Sequence, residues 1–230
     1  MNSNLESPIY IVGGSKGGVG KSMVATATID ILLELGRRVL LIESDTSNPD
    51  VLKAHQDHCE TISIDLDKAD GWIELVNTCD SNSESTVVIN TAARNNAGVR
   101  NYGVTLASTL GELRRKLVTL WVINRQRDSL ELLKQYTDSI DVGSIHVIRN
   151  GYYGPIEKFE LYNGSKIKQM IEERGGLSLL FPDLADRVSD DLYSKRLSIA
   201  AAIQELPIGN RAELMRWRSE VRRALGLVIT

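Results

Sequence analysis

The stretch that most limits what this chain can fold into lies near its start. "PIYIVGG" (8–14) is short, apolar and rich in β-branched residues, "SKGGVGKS" follows, and "MVATATIDILLELG" then repeats apolar residues at helical spacing. An apolar run of this length closed by glycine reads as a buried strand. Val24, Ala27, Ile31 and Leu35 share one helical face, and Gly36 stands where it can end the helix. A strand, a glycine-rich turn and a helix in direct succession open a βαβ unit, in which the crossover is right-handed and the next strand parallel.

The alternation continues along the chain. Further strands are expected at 37–44, 60–66, 85–93, 118–124, 143–150 and 176–181. Helices are expected at 70–78, 101–117, 127–139 and 164–175, with two more near 191–205 and 210–226. There is no linker, internal repeat or low-complexity tract, and "DSNSES" (80–85) is only a polar loop. The reading is one α/β domain over residues 1–230, a doubly wound, mostly parallel sheet with helices on both faces.

Composition narrows the function classes. A net charge of -3 excludes a general affinity for nucleic acid or membrane, so any such contact needs a local patch. The 42% hydrophobic and 25% charged residues are those of an ordinary soluble globule. Cys59 and Cys79 make no disulfide framework and no paired C-x-x-C, which points to a reduced, cytoplasmic protein. "MNSNLESP" lacks the basic start and apolar run of a signal peptide, and no apolar stretch approaches membrane-spanning length. "HQDHC" (55–59) offers an incomplete metal set and reads as a polar loop, since His146 is expected in a distant strand.

The glycine run carries chemistry. In G-x-x-x-x-G-K-[ST] the backbone N–H groups curl around phosphates, and only glycine lets the chain come so close. The helix that follows adds free N–H groups and a positive dipole end. Gly20, Lys21 and Ser22 fit the tail of this pattern, while Ser15 stands at its opening where glycine is usual. Lys21 is expected on the β- and γ-phosphates, Ser22 on Mg²⁺, and Ser15, Gly17, Gly18, Val19, Gly20 and Met23 around the nucleotide.

"KGGVGKS" resembles the deviant Walker A motif of the ParA/MinD family of ATPases. The resemblance implies that Lys16 reaches across a sandwich dimer to the nucleotide of the other subunit. Such a charge near the γ-phosphate opposes charge build-up in phosphoryl transfer, as an arginine finger does. "IESDTSNPD" stands at the family's first switch, where Asp45 matches the aspartate that positions the attacking water and supports the magnesium shell. Glu43 takes a place where aspartate is common. A carboxylate at the C-terminal end of a strand lies where open α/β sheets bind ligands; Asp45 and Asp50 equally suit capping or turning a loop.

"TVVIN" matches the family's Walker B strand, but Asn90 replaces the aspartate at its end. An amide accepts a hydrogen bond from a magnesium-bound water yet carries no charge to hold the cation. Hydrolysis is slow if Glu43 or Asp45 compensates; otherwise the protein is a nucleotide-sensing switch with little turnover. Asn150, in "HVIRNGYYGP", matches the asparagine that reads the nucleobase edge, and Pro182, in "LLFPDLADRV", matches a proline beside the base. Both favour adenine, as the guanine-reading Asn/Thr-Lys-x-Asp sequence is absent.

Leu214, Trp217, Val221 and Leu225 make an apolar stripe near the C-terminus, with Arg211, Arg216, Arg218, Arg222 and Arg223 beside and opposite it. Three readings stand: a helix packed on the sheet, attachment to an anionic membrane as in the MinD branch, and nonspecific DNA binding as in the ParA branch. The resemblance as a whole implies an ATP- and Mg²⁺-dependent homodimer with weak, partner-stimulated ATPase activity. It would act in plasmid partition, stability or conjugal transfer (StbB- and TraL-like proteins are similar), in the cytoplasm or peripheral to membrane or nucleoid. Two alternatives are a metabolic ATP-dependent enzyme of the dethiobiotin synthetase type and a nucleotide-binding pseudo-ATPase scaffold.

Overall fold

The computed structural model describes residues 7–14, 17–93 and 96–230. The sequence readings of Ser15 and Lys16 fall outside the described residues. In chain order the elements are β1 (Ile9–Gly14), α1 (Lys21–Glu34), β2 (Val39–Glu43), α2 (Asp50–His55), β3 (Glu60–Ser63), α3 (Ala69–Ser81), β4 (Thr86–Asn90), α4 (Asn96–Tyr102) and α5 (Val104–Leu113). They continue with β5 (Leu117–Ile123), α6 (Arg127–Ser139), β6 (Ser144–Asn150), α7 (Glu160–Asn163), α8 (Lys166–Glu173), β7 (Ser178–Phe181), α9 (Asp186–Lys195), α10 (Ile199–Glu205) and α11 (Ile208–Leu225).

The seven strands form one sheet in the order β3-β2-β4-β1-β5-β6-β7. Every pairing is parallel, where the sequence reading expected a mostly parallel sheet. β1 is central, and its apolar residues are buried on both faces, as a strand covered by helices on each side requires. Tyr10 and Val12 point into one core with Val24, Leu32, Leu214 and Trp217. Ile9 and Ile11 point into the other with Trp72, Leu106, Leu133 and Trp121. The period-2 alternation of a strand thus feeds two separate cores.

Several expectations change. The six-residue α2 lies between the strands at 39–43 and 60–63, where no helix was expected, and takes in His55 of the "HQDHC" stretch. His55 is buried, and its Nδ1–H donates to the Val51 carbonyl at 2.8 Å. The helix expected at 101–117 is the shorter α5, and α4, where no helix was expected, precedes it; the two meet at Gly103, where a Cβ would lie 2.5 Å from the Val99 carbonyl. The helix expected near 191–205 is also two. Arg196, with φ 52°, closes α9, and the Ser198 hydroxyl accepts from the Ala201 N–H to cap α10. Leu35 is not on the packed face of α1 but exposed, while Ala25, Ile29 and Leu32 are buried with Val24 and Ile31, because α2, α10 and α11 wall that helix in.

The C-terminal stripe of Leu214, Trp217, Val221 and Leu225 is buried as a packed helix would have it. Its arginines are largely matched by carboxylates. Arg218 makes a two-pronged pair with Asp30 of α1, at 2.7 and 2.9 Å, and also reaches Glu34 at 3.0 Å. Arg222 lies 3.4 Å from Glu34, and Arg216 bridges Glu213 and Glu220 at 2.7 Å each. This favours the packing reading over a basic docking face. Burial pushes the Asp30 carboxyl up from its usual range, and the Arg218 guanidinium opposes that. Removing one partner of such a pair strands a charge in the core. Arg218→Ala is therefore expected to lower unfolding stability by about 3 kcal/mol, measured by urea titration.

Candidate functional site

β1, β2 and β4 end side by side, and the turns that leave them are laced together. Ser44 N–H donates to the Asn90 carbonyl at 2.9 Å. The Ser44 hydroxyl accepts from Ala92 N–H at 3.0 Å, and the Thr91 hydroxyl donates to the Val12 carbonyl at 2.8 Å. The glycine loop rises from β1 into this cluster. At Gly14 a Cβ would lie 2.8 Å from the Val122 carbonyl, so the chain passes β5 too closely for a side chain.

Gly20 caps α1 with φ 102° and ψ 16°, a left-handed conformation that suits glycine. Its carbonyl accepts the Val24 N–H at 3.1 Å and starts the helix. Lys21 and Ser22 are the first two residues of α1, and Met23 follows. The start of a helix leaves its first N–H groups without helical partners, which makes this end a site for anions. Lys21 is 7% exposed. Burial pushes its pKa down to about 8, and the nearby Asp45 charge opposes the fall. A lysine held with this little water is suited to meeting a phosphate.

The segment after β6 braces the loop from outside. Asn150 Nδ2 donates to the Val19 carbonyl at 2.9 Å, and its Oδ1 accepts from Tyr152 N–H at 3.1 Å. Tyr153 donates its hydroxyl to the Gly18 carbonyl at 2.9 Å. Asn150 was read as the residue that meets a nucleobase; here its amide is engaged in holding the loop. It still lines a cleft of about 180 Å³, together with Gly18, Gly20, Met23, Tyr152 and Pro182. The Pro182 carbonyl accepts from Trp217 Nε1 at 2.9 Å, which fixes that wall. Sequence reasoning missed Tyr153 and the wall role of Trp217. "GYYGP" has no spacing rule that marks a loop brace, and the Trp217 contact joins residues 35 apart.

Asp45 follows β2. Its N–H donates to Glu43 Oε1 at 2.9 Å, and its Oδ1 accepts from Asn48 N–H at 3.1 Å, so the side chain also turns the loop. Glu43 is wholly buried. Burial pushes its pKa up to about 7, against the hydrogen bonds from Asp45, Asn90 and Leu52. The Asn90 amide donates to both Glu43 oxygens, at 3.0 and 3.1 Å, and Asn90 Oδ1 is buried with no hydrogen-bond partner among the described residues. Asn90 thus stands where the family resemblance expects a carboxylate, and a carboxylate lies directly beside it on the next strand.

These residues fit a magnesium ion of the kind that takes few protein ligands and completes its shell with phosphate oxygens and water. Ser22 offers a hydroxyl, Asp45 a carboxylate, and Asn90 an amide oxygen that lacks a donor. Among the described residues no group of three or more His, Cys, Asp or Glu side chains forms an all-protein metal cage.

Two outcomes follow from this geometry. Neutral Lys21 is favoured by burial, so the apo fold gains stability as pH rises from about 8 toward the ordinary lysine value, whereas phosphate binding draws a proton back. Nucleotide affinity is expected to fall as pH climbs through about 8, with proton uptake seen by calorimetry in buffers of different ionisation enthalpy. Asn150→Ala is expected to weaken ADP and GDP binding alike, by about tenfold, since losing a buried hydrogen bond that orders the loop costs roughly 1–2 kcal/mol; a base reader alone would lose only the preference between them.

Comparison with known proteins places this geometry. Residues 10–157 match the model of the CobQ/CobB/MinD/ParA nucleotide binding domain. The chain is 67% identical to Protein MobD of Acidithiobacillus ferrooxidans over 221 residues, which is 96% of this chain and 97% of that one. Among solved structures it is similar to the cell division ATPase MinD of Pyrococcus furiosus, with 14% identity, a TM-score of 0.54, and 94% and 99% of the two chains covered. The MinC:MinD complex of Aquifex aeolicus gives 13% identity and a TM-score of 0.54, over 94% of this chain and 96% of that one. Those two likenesses speak to the fold alone. From its family match and its close relative, the chain belongs to the CobQ/CobB/MinD/ParA family of nucleotide-binding domains.

Proposed function

We propose that the protein is an ATP-dependent dimerising switch of the ParA/MinD type, with slow hydrolysis, that acts in plasmid or protein positioning: partition, stability or conjugal transfer. The observation that carries this reading is the braced loop from Gly17 to Gly20, which leads into a buried Lys21 at the start of a helix. Its backbone N–H groups and the Lys21 ammonium suit a polyphosphate. The adjoining cleft, walled by Met23, Asn150, Tyr152 and Pro182, suits a base, and adenine is the base proposed.

In this scheme Lys21 neutralises the β- and γ-phosphates, and Asp45 orients the water that attacks the terminal one. Ser22 and Asp45 would hold magnesium, whose chemistry there is to offset phosphate charge. Lys16 is assigned to the partner subunit's nucleotide, which makes the dimer sensitive to the γ-phosphate. A partner protein would read the dimeric state, and hydrolysis would end it. The ion pairs on Arg216, Arg218 and Arg222 argue against α11 as the surface anchor.

Sedimentation with ATP and Mg²⁺ tests the scheme. Lys21→Ala is expected to abolish ATP binding, and Lys16→Ala to keep binding while losing the dimer. A dimer unchanged in Lys16→Ala would refute the cross-subunit role.

A further inference from the structure

We propose that Asn90 and Glu43 work as one unit, in which the Asn90 amide aims the Glu43 carboxylate at the water shell of the magnesium, so that the charge absent from β4 is supplied by β2. This rests on the nucleotide reading of the site. Glu43 and Asn90 are direct register partners in adjacent parallel strands. On its other side Asn90 is in register with Val12, two residues before the end of β1 and the start of the phosphate loop. The unit therefore sits between the switch segment and that loop.

The bonding is lopsided in an informative way. The Glu43 carboxylate gathers the Asn90 amide at 3.0 and 3.1 Å and the Asp45 N–H at 2.9 Å, with a further contribution from the Leu52 N–H. A wholly buried carboxylate is expensive even when hydrogen-bonded, and an apolar pair would hold two strands together at lower cost. Two β-branched residues at these positions would suffice for a structural strap. Asn90 Oδ1, in a residue 3% exposed, meanwhile has no donor among the described residues. An unmet buried acceptor is costly to fold around. The unit thus sets an anionic acceptor and an unsatisfied neutral acceptor side by side beside the phosphate loop. A magnesium-bound water is a strong donor and answers both. Glu43 supplies the charge, and Asn90 is its positioning residue.

An aspartate at position 90 would therefore not repair the site. Asn90→Asp would put two carboxylates about 3 Å apart with no amide between them, and like charges at that separation repel. What the unit needs is one amide and one carboxylate, on either strand.

The test is ADP affinity by calorimetry, in Mg²⁺ and in EDTA, for the full chain and its variants. The wild type is expected to bind at least about tenfold more tightly in Mg²⁺, and Glu43→Gln to lose most of that ratio, since partners that orient a metal shell typically control 10–100-fold in metal affinity. The exchanged pair Glu43→Gln/Asn90→Asp is expected to regain it. Asn90→Ser, which keeps the carboxylate but removes its clamp, is expected to lose part of the ratio and decides the matter if Glu43→Gln fails to fold. A strap without a magnesium role would change the melting temperature of Glu43→Gln and leave the ratio at the wild-type value; that result, or an exchanged pair no better than the single variant, overturns the inference alone. A wild type that binds ADP in neither buffer overturns the nucleotide reading and the inference with it.

Discussion

The site depends on two hydrogen bonds made to the phosphate loop from behind. Tyr153 holds the Gly18 carbonyl and Asn150 holds the Val19 carbonyl. A trans peptide is planar, and its C=O and N–H point in opposite directions. Fixing those two carbonyls outward therefore turns the N–H groups of Val19 and Gly20 inward. N–H groups turned to one side in this way suit an anion, and two hydrogen bonds already hold these peptides in place. The rest of the sheet serves this arrangement: β6 is where it is so that the residues following it can reach β1's loop.

Charge is handled differently at the two ends of α1. Its N-terminus opens toward the phosphate site with Lys21, while further along Asp30 and Glu34 are paired with Arg218 and Arg222 of α11. The helix that presents the phosphate-binding end is thus fixed from its other end by the C-terminal helix. Its burial on nearly all sides leaves it little freedom to tilt.

Much of this was legible in the chain. The apolar runs that became β1, β2, β4, β5 and β6 are signals confined to a few residues, and so is the glycine-lysine-serine turn; nothing distant can disguise them. The stripe of Leu214, Trp217, Val221 and Leu225 was read correctly for the same reason. What escaped was short or distant. α2 is a six-residue helix after Pro49, too brief to show a period. The duty of Asn150 depends on Val19, 131 residues away, and the pairing of Arg218 on Asp30, 188 residues away, so neither could be read from local pattern. The substitution at Asn90 was visible, and Glu43 stood among the residues named as able to compensate; that the two side chains touch was not visible, because the contact joins residues 47 apart in sequence on neighbouring strands.

The clamp on the loop has one more consequence. A Cβ at position 20 would lie 2.4 Å from Asn150 Nδ2, so the space that a side chain there would need is already filled by the amide. The bare backbone at one position makes room for the reaching amide at the other. A side chain at position 20 would therefore meet two obstacles at once, the amide that fills its space and a left-handed backbone that only glycine adopts freely.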